Sequence, residues 1–212
     1  MLRWAPSNFN ALEKQRIAVL ASGSGSNAEE ILRHFEGSAL AEVVWVGCNR
    51  PEAQAGVYGR TRALGLETTP IQADQLKDGT VLKMLRLARA DWVVLAGFLL
   101  RIPVEMVRDF QGSMINIHPS LLPLFGGKGM YGMHVHRAVK AAGAEESGMT
   151  IHWVTEEYDE GDVIFQASCA VKPDDEPEQI AQKVAQLEHR YFARTIDALI
   201  RDAVAQTSLQ HE

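Results

Sequence analysis

The sequence predicts an α/β fold: a Rossmann-like, open, mostly parallel twisted sheet with helices on both faces, mixed strands in the carboxyl-terminal half and a long carboxyl-terminal helix. The first observation behind this prediction is a set of continuous apolar runs at residues 16–21, 41–48 and 92–96. Runs without polar alternation are typical of strands covered on both faces, as in a parallel sheet wrapped by helices. The second is a pair of strand-like segments, residues 149–154 and 163–167, whose short acidic connection favours an antiparallel or bent pairing.

The segments around these strands have helical composition or weak strand character. Helices are expected at residues 28–35, 53–64, 80–89 and 134–142, and a weak strand is expected at residues 69–72. The last helix is expected to begin near Pro177, which suits a first helical turn, and to end at about Ala203. Its core-facing stripe has helical spacing and consists of Ile180, Val184, Leu187 and Tyr191.

Length and charge limit the function classes. The 212 residues, 46% of them hydrophobic, suit one domain, expected at residues 16–204 between an amino-terminal extension (1–15) and a carboxyl-terminal tail (205–212). The formal net charge of −6 argues against nucleic acid as a partner, because binding to phosphates normally needs a basic face. No apolar run approaches the roughly eighteen residues of a membrane helix, and the extension lacks the apolar core of a secretion signal. We therefore expect a cytoplasmic protein, a monomer or homodimer, that acts on small molecules and not on a membrane.

The cysteines and histidines indicate neither a disulfide nor a metal site. Cys48 and Cys169 lack C-x-x-C spacing and lie in strand-like segments, which predicts buried, reduced thiols. His134 and His136 could be imagined as metal ligands together with His118 or His152. Side chains at positions i and i+2 of a helix diverge, however, and no cysteine or carboxylate pattern completes a set. We expect no metal.

The sequence INIHPS at residues 115–120 carries the strongest chemical signal. Alternate residues of an extended chain point the same way, so Asn116 and His118 are expected to project together. Pro119 cannot donate to a strand ladder and should end the strand at the edge where open parallel sheets bind ligands. Together with the carboxylate of Asp159 in the later sequence Asp-Glu-Gly, Asn116 and His118 provide the chemical groups that suit acyl transfer. For an isolated N-x-H pattern, two side chains that merely satisfy backbone groups remain the alternative.

A glycine loop at residues 22–27, with the sequence SGSGSN, connects the first strand to the first helix. Glycines let backbone N–H groups approach an anion, and the helix start adds partial positive charge, so the loop is a candidate phosphate cradle. It lacks both the Lys-Ser/Thr end of a nucleotide triphosphate loop and a complete G-x-G-x-x-G, which disfavours ATP and NAD. The alternative is a tight turn in which Ser26 or Asn27 caps the helix and no ligand binds.

A second glycine-rich segment, residues 124–132, contains four glycines and Lys128. Such a loop could close over a substrate and exclude water, with Lys128 as an anion contact. A mobile surface loop is the alternative. We interpret the segment as a flap.

Taken together, the chain resembles the glycinamide ribonucleotide transformylases, a family of folate-dependent formyltransferases. The resemblance covers residues 16–192 and rests on motifs in the family's order. These are AVLASGSGSN at 18–27, VLAGF at 94–98, INIHPSLLP at 115–123, GMTIHWV at 148–154 with YDEG at 158–161, and LEH at 187–189.

The resemblance implies transfer of the formyl group of 10-formyltetrahydrofolate, as co-substrate, to the amine of 5-phosphoribosylglycinamide in purine synthesis, without a metal. A 10-formyltetrahydrofolate hydrolase (deformylase) and a methionyl-tRNA formyltransferase share the same chemistry and are alternatives. The first usually carries a regulatory domain and the second a tRNA-binding domain. A binding module that keeps the fold without catalysis is a further alternative.

The resemblance also implies roles for individual residues. Asn116 and His118 would stabilise the tetrahedral oxyanion, His118 would transfer protons, and Asp159 would orient its ring and raise its pKa. The phosphoribosylglycinamide site would consist of Gly25, Ser26, Asn27 and Glu188, and the folate site of Leu99, Leu100, Arg101, Ile102 and Asn116. Read alone, Glu188 could equally be a solvated helix carboxylate. Arg101 departs from the commonest family pattern, Phe-Met-Arg-Ile-Leu, because it comes one residue later after the phenylalanine than the arginine of that pattern.

Overall fold

Strands and helices alternate along residues 13–208, the part of the chain that the computed structural model describes. The strands are β1 (Gln15–Ala21), β2 (Ala41–Cys48), β3 (Thr68–Pro70), β4 (Trp92–Leu95), β5 (Met114–His118), β6 (Glu146–Trp153) and β7 (Val163–Ala170). The helices are α1 (Ser26–Phe35), α2 (Val57–Arg62), α3 (Ala73–Lys77), α4 (Thr80–Leu87), α5 (Val104–Asp109), α6 (Met133–Ala141) and α7 (Pro177–Ser208).

These strands form a single sheet in the order β3-β2-β1-β4-β5-β6-β7. Neighbours from β3 to β5 pair in parallel, and β6 and β7 add antiparallel pairings. The predicted fold class is therefore confirmed. The chain leaves β1 toward β2 and β3 and then returns to β4 on the other side of β1. In open α/β sheets, ligands bind in the crevice at such a reversal of strand order.

Both faces of the sheet are buried, which explains the continuous apolar runs. In β1, Ile17 and Val19 pack into a core with α1, α6 and α7, whereas Ala18 and Leu20 pack into a second core with α3, α4 and α5. All four side chains are fully buried. A strand that needs apolar side chains on both faces cannot show polar alternation.

Several predicted elements are wrong in detail. The helix expected at residues 53–64 is a 3₁₀ turn (Glu52–Gln54) followed by the separate helix α2, because the chain is extended at Ala55. At Gly56 a Cβ atom would lie 2.9 Å from the carbonyl oxygen of Ser24, so this break brings α2 directly against the glycine loop. The short helices α3 and α5 were missed, and α7 continues to Ser208, beyond its predicted end.

The structure describes only part of each predicted terminal segment. Residues 1–12 of the predicted extension and 209–212 of the predicted tail lie outside the described residues.

Cys48 is buried and Cys169 is only half-buried, and both thiols are free. The prediction of burial is therefore wrong for Cys169, which lies on the edge strand β7. Across residues 13–208, no helix has the length and apolar character needed to cross a membrane.

Candidate active site

An open cavity of about 710 Å³ lies at the carboxyl ends of β1, β4 and β5. Its wall combines the glycine loop, residues 97–102, residues 154–159, part of the flap and one stretch of α7. Every site residue that the sequence singled out lines this cavity: Gly25, Ser26, Asn27, Leu99, Leu100, Arg101, Ile102, Asn116, His118, Asp159 and Glu188. The predicted convergence of distant segments on one crevice is thus present in the structure.

Asn116 is held by a histidine that the sequence analysis considered only for metal binding. In the antiparallel pairing of β5 with β6, Asn116 lies opposite His152, and Asn116 Nδ2 is 3.0 Å from His152 Nε2. His152 Nδ1 is 2.9 Å from the carbonyl oxygen of Trp153, which can only accept. His152 Nδ1 therefore carries the proton, and Nε2 accepts from the Asn116 amide. This leaves the second N–H of that amide available to the cavity.

His118 and Asp159 face each other at the end of β5. The His118 side chain is buried, its Nε2 donates to the carbonyl oxygen of Phe125 at 2.8 Å, and its Nδ1 lies 3.6 Å from Asp159 Oδ2. Asp159 Oδ2 also accepts the backbone N–H of Gly127 at 2.8 Å, and Oδ1 lies 3.6 Å from His152 Nε2. A single carboxylate thus lies between two imidazoles and is anchored by the flap.

Burial decides the protonation state of His118. Desolvation lowers the pKa of His118, and the smaller opposing effects of the Asp159 charge and the Phe125 carbonyl do not restore it. The predicted influence of Asp159 has the expected direction, but the prediction of a raised net pKa is wrong because desolvation is the larger effect. Burial also acts to raise the pKa of Asp159, yet the two neighbouring imidazoles and the N–H of Gly127 together lower it. The resting pair is a neutral imidazole beside a carboxylate.

Glycine at position 161 allows the turn that presents Asp159. Asp159 has a left-handed backbone with φ 55°, and a Cβ atom at Gly161 would lie 1.8 Å from the carbonyl oxygen of Trp153. Arg101 binds the same turn, because its Nη2 donates to the carbonyl oxygen of Glu156 at 3.0 Å and its guanidinium lies 5.3 Å from the ring centre of Tyr158. The Arg101 side chain therefore connects the segment after β4 to the turn that carries Asp159.

The glycine loop has an unusual helix start. The capping residue of α1 is Gly25, with φ 76° and no side-chain cap, so the alternative in which Ser26 or Asn27 caps the helix is wrong. A Cβ atom at Gly25 would lie 2.5 Å from Cα and Cβ of Val57 in α2, which forces glycine at this position. Because no side chain caps the first turn of α1, its N–H groups remain available to an anion.

We expect Gly25→Ala to destabilise the fold by about 1–3 kcal/mol, because the left-handed backbone and the contact with Val57 both oppose a methyl group. Denaturant unfolding measures this change. Gly23→Ala is the matched control, since a Cβ atom at Gly23 meets nothing within 4 Å. Equal stability of the two variants would contradict the requirement for glycine at position 25.

Glu188 in α7 is bound to the glycine loop and is not a solvated helix carboxylate. Asn27 Nδ2 donates to Glu188 Oε2 at 2.8 Å, while the buried Asn27 Oδ1 has no hydrogen-bond partner within the described part of the chain. Burial raises the pKa of Glu188, and the Asn27 contact offsets this only in part. This corner of the cavity holds an unsatisfied acceptor and a carboxyl group that resists ionisation.

The raised pKa gives a prediction for stability. A carboxyl group whose pKa is higher in the folded state binds its proton more tightly there, so the protein loses stability as the pH rises through the window between the unfolded and folded pKa values. We expect Glu188→Gln to melt at a higher temperature than the wild type at pH 8, with the difference shrinking toward pH 4. Thermal melting across this range measures it, and Glu146→Gln at an exposed position is the control. A lower melting temperature at pH 8 would contradict the burial argument.

Residues 13–208 contain no group of three or more His, Cys, Asp or Glu side chains placed to hold a metal ion. His134 is exposed and His136 is buried, so the two side chains diverge as the helix geometry requires. The absence of a metal requirement stays a prediction, which metal analysis of the purified protein would test.

A Rossmann-like sheet that presents an amide, an imidazole and a carboxylate beside an anion-binding loop defines a group-transfer enzyme of the acyl-transfer type. A family model described as "Formyl transferase" matches residues 15–196. The chain belongs to this formyltransferase family, which confirms the resemblance drawn from its motifs.

Named relatives and solved structures agree with this assignment. The chain is 37% identical, over 90% of its length, to "Phosphoribosylglycinamide formyltransferase, chloroplastic" of Arabidopsis thaliana and covers 67% of that protein. It is 35% identical, over 88% of its length, to "Trifunctional purine biosynthetic protein adenosine-3" of Drosophila melanogaster, of which it spans only 14%. The crystal structure of phosphoribosylglycinamide formyltransferase from Anaplasma phagocytophilum superimposes with a TM-score of 0.80 at 31% identity, covering 89% of this chain and 88% of that one.

Proposed function

We propose that this protein transfers the formyl group of 10-formyltetrahydrofolate to the amine of 5-phosphoribosylglycinamide, giving the N-formyl product and tetrahydrofolate in de novo purine biosynthesis. The observation that carries the proposal is the position of Asn116, His118 and Asp159 in the same cavity as the glycine loop. The amide, imidazole and carboxylate of these three residues suit formyl transfer, and the glycine loop suits a phosphorylated acceptor. The names of the relatives support the same substrate pair.

Attack of the amine on the formyl carbon forms a C–N bond and places negative charge on the formyl oxygen. Asn116 is the donor for this oxyanion, because one amide N–H is bound to His152 and the other is available to the cavity. His152 fixes the orientation of the amide in advance. An oxyanion donor held in place before the reaction lowers the barrier without reorganisation during the step.

His118 carries the proton between the two nitrogens. Its Nε2 already donates to Phe125, so Nδ1 is the nitrogen that accepts a proton from the attacking amine. The resulting imidazolium is stabilised by the Asp159 carboxylate, which faces Nδ1. The proton then passes to the folate nitrogen as the bond between that nitrogen and the formyl carbon breaks, and the neutral imidazole is restored. The lowered pKa of His118 suits this order of proton transfers, because it favours an unprotonated ring at the start.

The remaining site residues bind the two substrates in this proposal. Gly25, Ser26 and Asn27 receive the phosphate, and Glu188 contacts the ribose or amine region. Residues 99–102 contact the pterin mainly through their backbone, since the Arg101 side chain already contacts Glu156 and Tyr158. The flap stays a predicted lid; its Gly127 contact with Asp159 links any closure to the catalytic carboxylate.

An absorbance assay for the folate product tests the function. We expect turnover with synthetic phosphoribosylglycinamide and none without an acceptor amine. Turnover that does not need the amine would favour the deformylase alternative, and absence of turnover with both substrates would contradict formyl transfer to this acceptor. Light scattering would test the proposed monomer or homodimer. The cytoplasmic location is also a proposal. The Arabidopsis relative, by contrast, is named chloroplastic.

A further inference from the structure

Arg50 lies in the cavity wall next to the glycine loop, at a position that no motif singled out. It follows β2, lines the cavity and has an exposed side chain. Its backbone is fixed, because the hydroxyl of Tyr58 donates to the Arg50 carbonyl oxygen at 2.9 Å and the Arg50 N–H donates to Cys48 Sγ at 3.4 Å. Tyr58 belongs to α2, the helix that packs on Gly25. The backbone from which the Arg50 side chain extends is thus held at a fixed position relative to the glycine loop.

The guanidinium of Arg50 has no carboxylate or hydrogen-bond partner within residues 13–208, whereas the other groups around the loop are already bonded. Arg60 forms an ion pair with Glu29, and its Nε donates to the carbonyl oxygen of Ser24 at 3.1 Å. Ser22, beside Arg50 in the wall, donates to Asn49 Oδ1 and accepts the N–H of Leu99 at 2.9 Å. Arg50 is therefore the guanidinium at this end of the cavity whose charge and donors are free for a ligand.

The charge balance of the cavity requires such a group. A phosphate monoester carries close to two negative charges at neutral pH, and a helix start supplies only about half of a positive charge. The cavity wall also includes the acidic residues Glu156, Glu157 and Asp159. Backbone N–H groups alone would leave a phosphate with most of its charge uncompensated. A guanidinium can supply a full charge and two parallel donors to phosphate oxygens.

We propose that Arg50 binds the phosphate of the acceptor substrate and determines the preference for a phosphorylated amine over its unphosphorylated nucleoside. The inference rests on the proposed function and extends it to a residue outside the recognised motifs. Lys128 is the competing cation. It lines the same cavity, but it belongs to the flap, where the adjacent Gly127 contacts Asp159. The backbone of Lys128 therefore lies next to the contact with Asp159, whereas Arg50 follows Asn49, which is bonded to Ser22 of the glycine loop.

Steady-state kinetics of Arg50→Met with saturating formyl folate tests the proposal. We expect the KM for phosphoribosylglycinamide to rise about 10–100-fold, the range for a lost hydrogen bond to a charged group, with kcat nearly unchanged. Arg50→Lys should recover part of the affinity, since an ammonium restores the charge without the two-pronged geometry. The kcat/KM for unphosphorylated glycinamide riboside should be the same in wild type and variant. Arg194→Met, an equal loss of charge at an exposed position of α7, is the control and should match the wild type.

An unchanged KM in Arg50→Met, or an equal loss with both acceptors, would overturn the proposal. A rise in KM for the phosphorylated acceptor confined to Lys128→Met would assign the phosphate contact to the flap instead. Thermal melting of each variant excludes a folding defect. If the wild type shows no turnover, the proposed function fails separately. Calorimetric titration of wild type and Arg50→Met with inorganic phosphate then still tests the anion site, and equal affinities would overturn it.

Discussion

His118→Gln is expected to lower kcat by about 10²–10⁴-fold, the range for loss of a positioned acid–base group. Glutamine can still donate to the Phe125 carbonyl oxygen that His118 Nε2 contacts, so the flap keeps this anchor. It cannot accept a proton near neutral pH. We therefore expect kcat and kcat/KM to fall by similar factors, which marks an interaction made in the transition state.

The folate absorbance assay measures this effect, and thermal melting checks that the variant is folded. His134→Gln provides the matched control, because His134 is an exposed histidine in the first turn of α6. We expect the control to retain wild-type kcat. Wild-type kcat in His118→Gln would remove His118 from the mechanism and leave Asn116 as the main catalytic group.

Local sequence was sufficient to predict the strand that carries Asn116 and His118. The alternation of isoleucine with Asn116 and His118, together with the stop at Pro119, depends only on the period of an extended chain. The structure agrees: Ile115 and Ile117 lie in a core, and β5 ends at His118. The apolar runs predicted the parallel part of the sheet for a similar reason, because a strand that is buried on both faces consists almost entirely of apolar residues.

Features that depend on the relative placement of distant segments could not be predicted. The role of His152 follows from the pairing register that sets it opposite Asn116, and no local pattern contains that register. The direction of the His118 pKa depends on how completely the flap and the turn at Asp159 exclude water from the ring. The break at Gly56 is set by its approach to Ser24, where tertiary contact overrides helical composition.

The same limit applies to the arginines of the site. Sequence comparison drew attention to Arg101, yet its guanidinium contacts the turn of residues 156–158. Arg50 carries no motif signal. Unlike Arg60, it has no carboxylate partner within residues 13–208 and lies in the cavity wall, and both are properties of the folded chain. The charge available to a ligand is the charge left after internal pairing, and only the folded arrangement reveals it.

Asp159→Asn is expected to lower kcat on the order of a hundredfold or more, because the imidazolium formed at His118 loses its facing carboxylate. Asparagine retains an oxygen that can accept the N–H of Gly127, so the turn and flap should keep their contact. The Asp159 charge raises the pKa of His118 against the larger effect of burial. Its removal should therefore move the acidic limb of the pH–rate profile, below which His118 is protonated, to lower pH.

The ionisation of Asp159 should change the stability of the fold with pH in the direction opposite to that expected for Glu188. Because the pKa of Asp159 is lowered in the folded protein, its ionised form stabilises the fold above the unfolded pKa, and this contribution disappears as the pH falls through the folded pKa. Asp159→Asn should thus melt slightly below the wild type at pH 7, with the two curves meeting in acid. Collapse of the fold at pH 7 would instead identify a structural carboxylate.

The double variant His118→Gln with Asp159→Asn distinguishes a catalytic pair from two independent effects. If Asp159 acts through the His118 imidazolium, its removal has little left to affect once the imidazole is gone, and the double variant should be nearly as active as His118→Gln alone. If each residue contacts the reacting atoms separately, the two losses should multiply. The pairing of a neutral imidazole with a carboxylate at 3.6 Å predicts the first outcome, since the charge of Asp159 matters only when His118 holds the transferred proton.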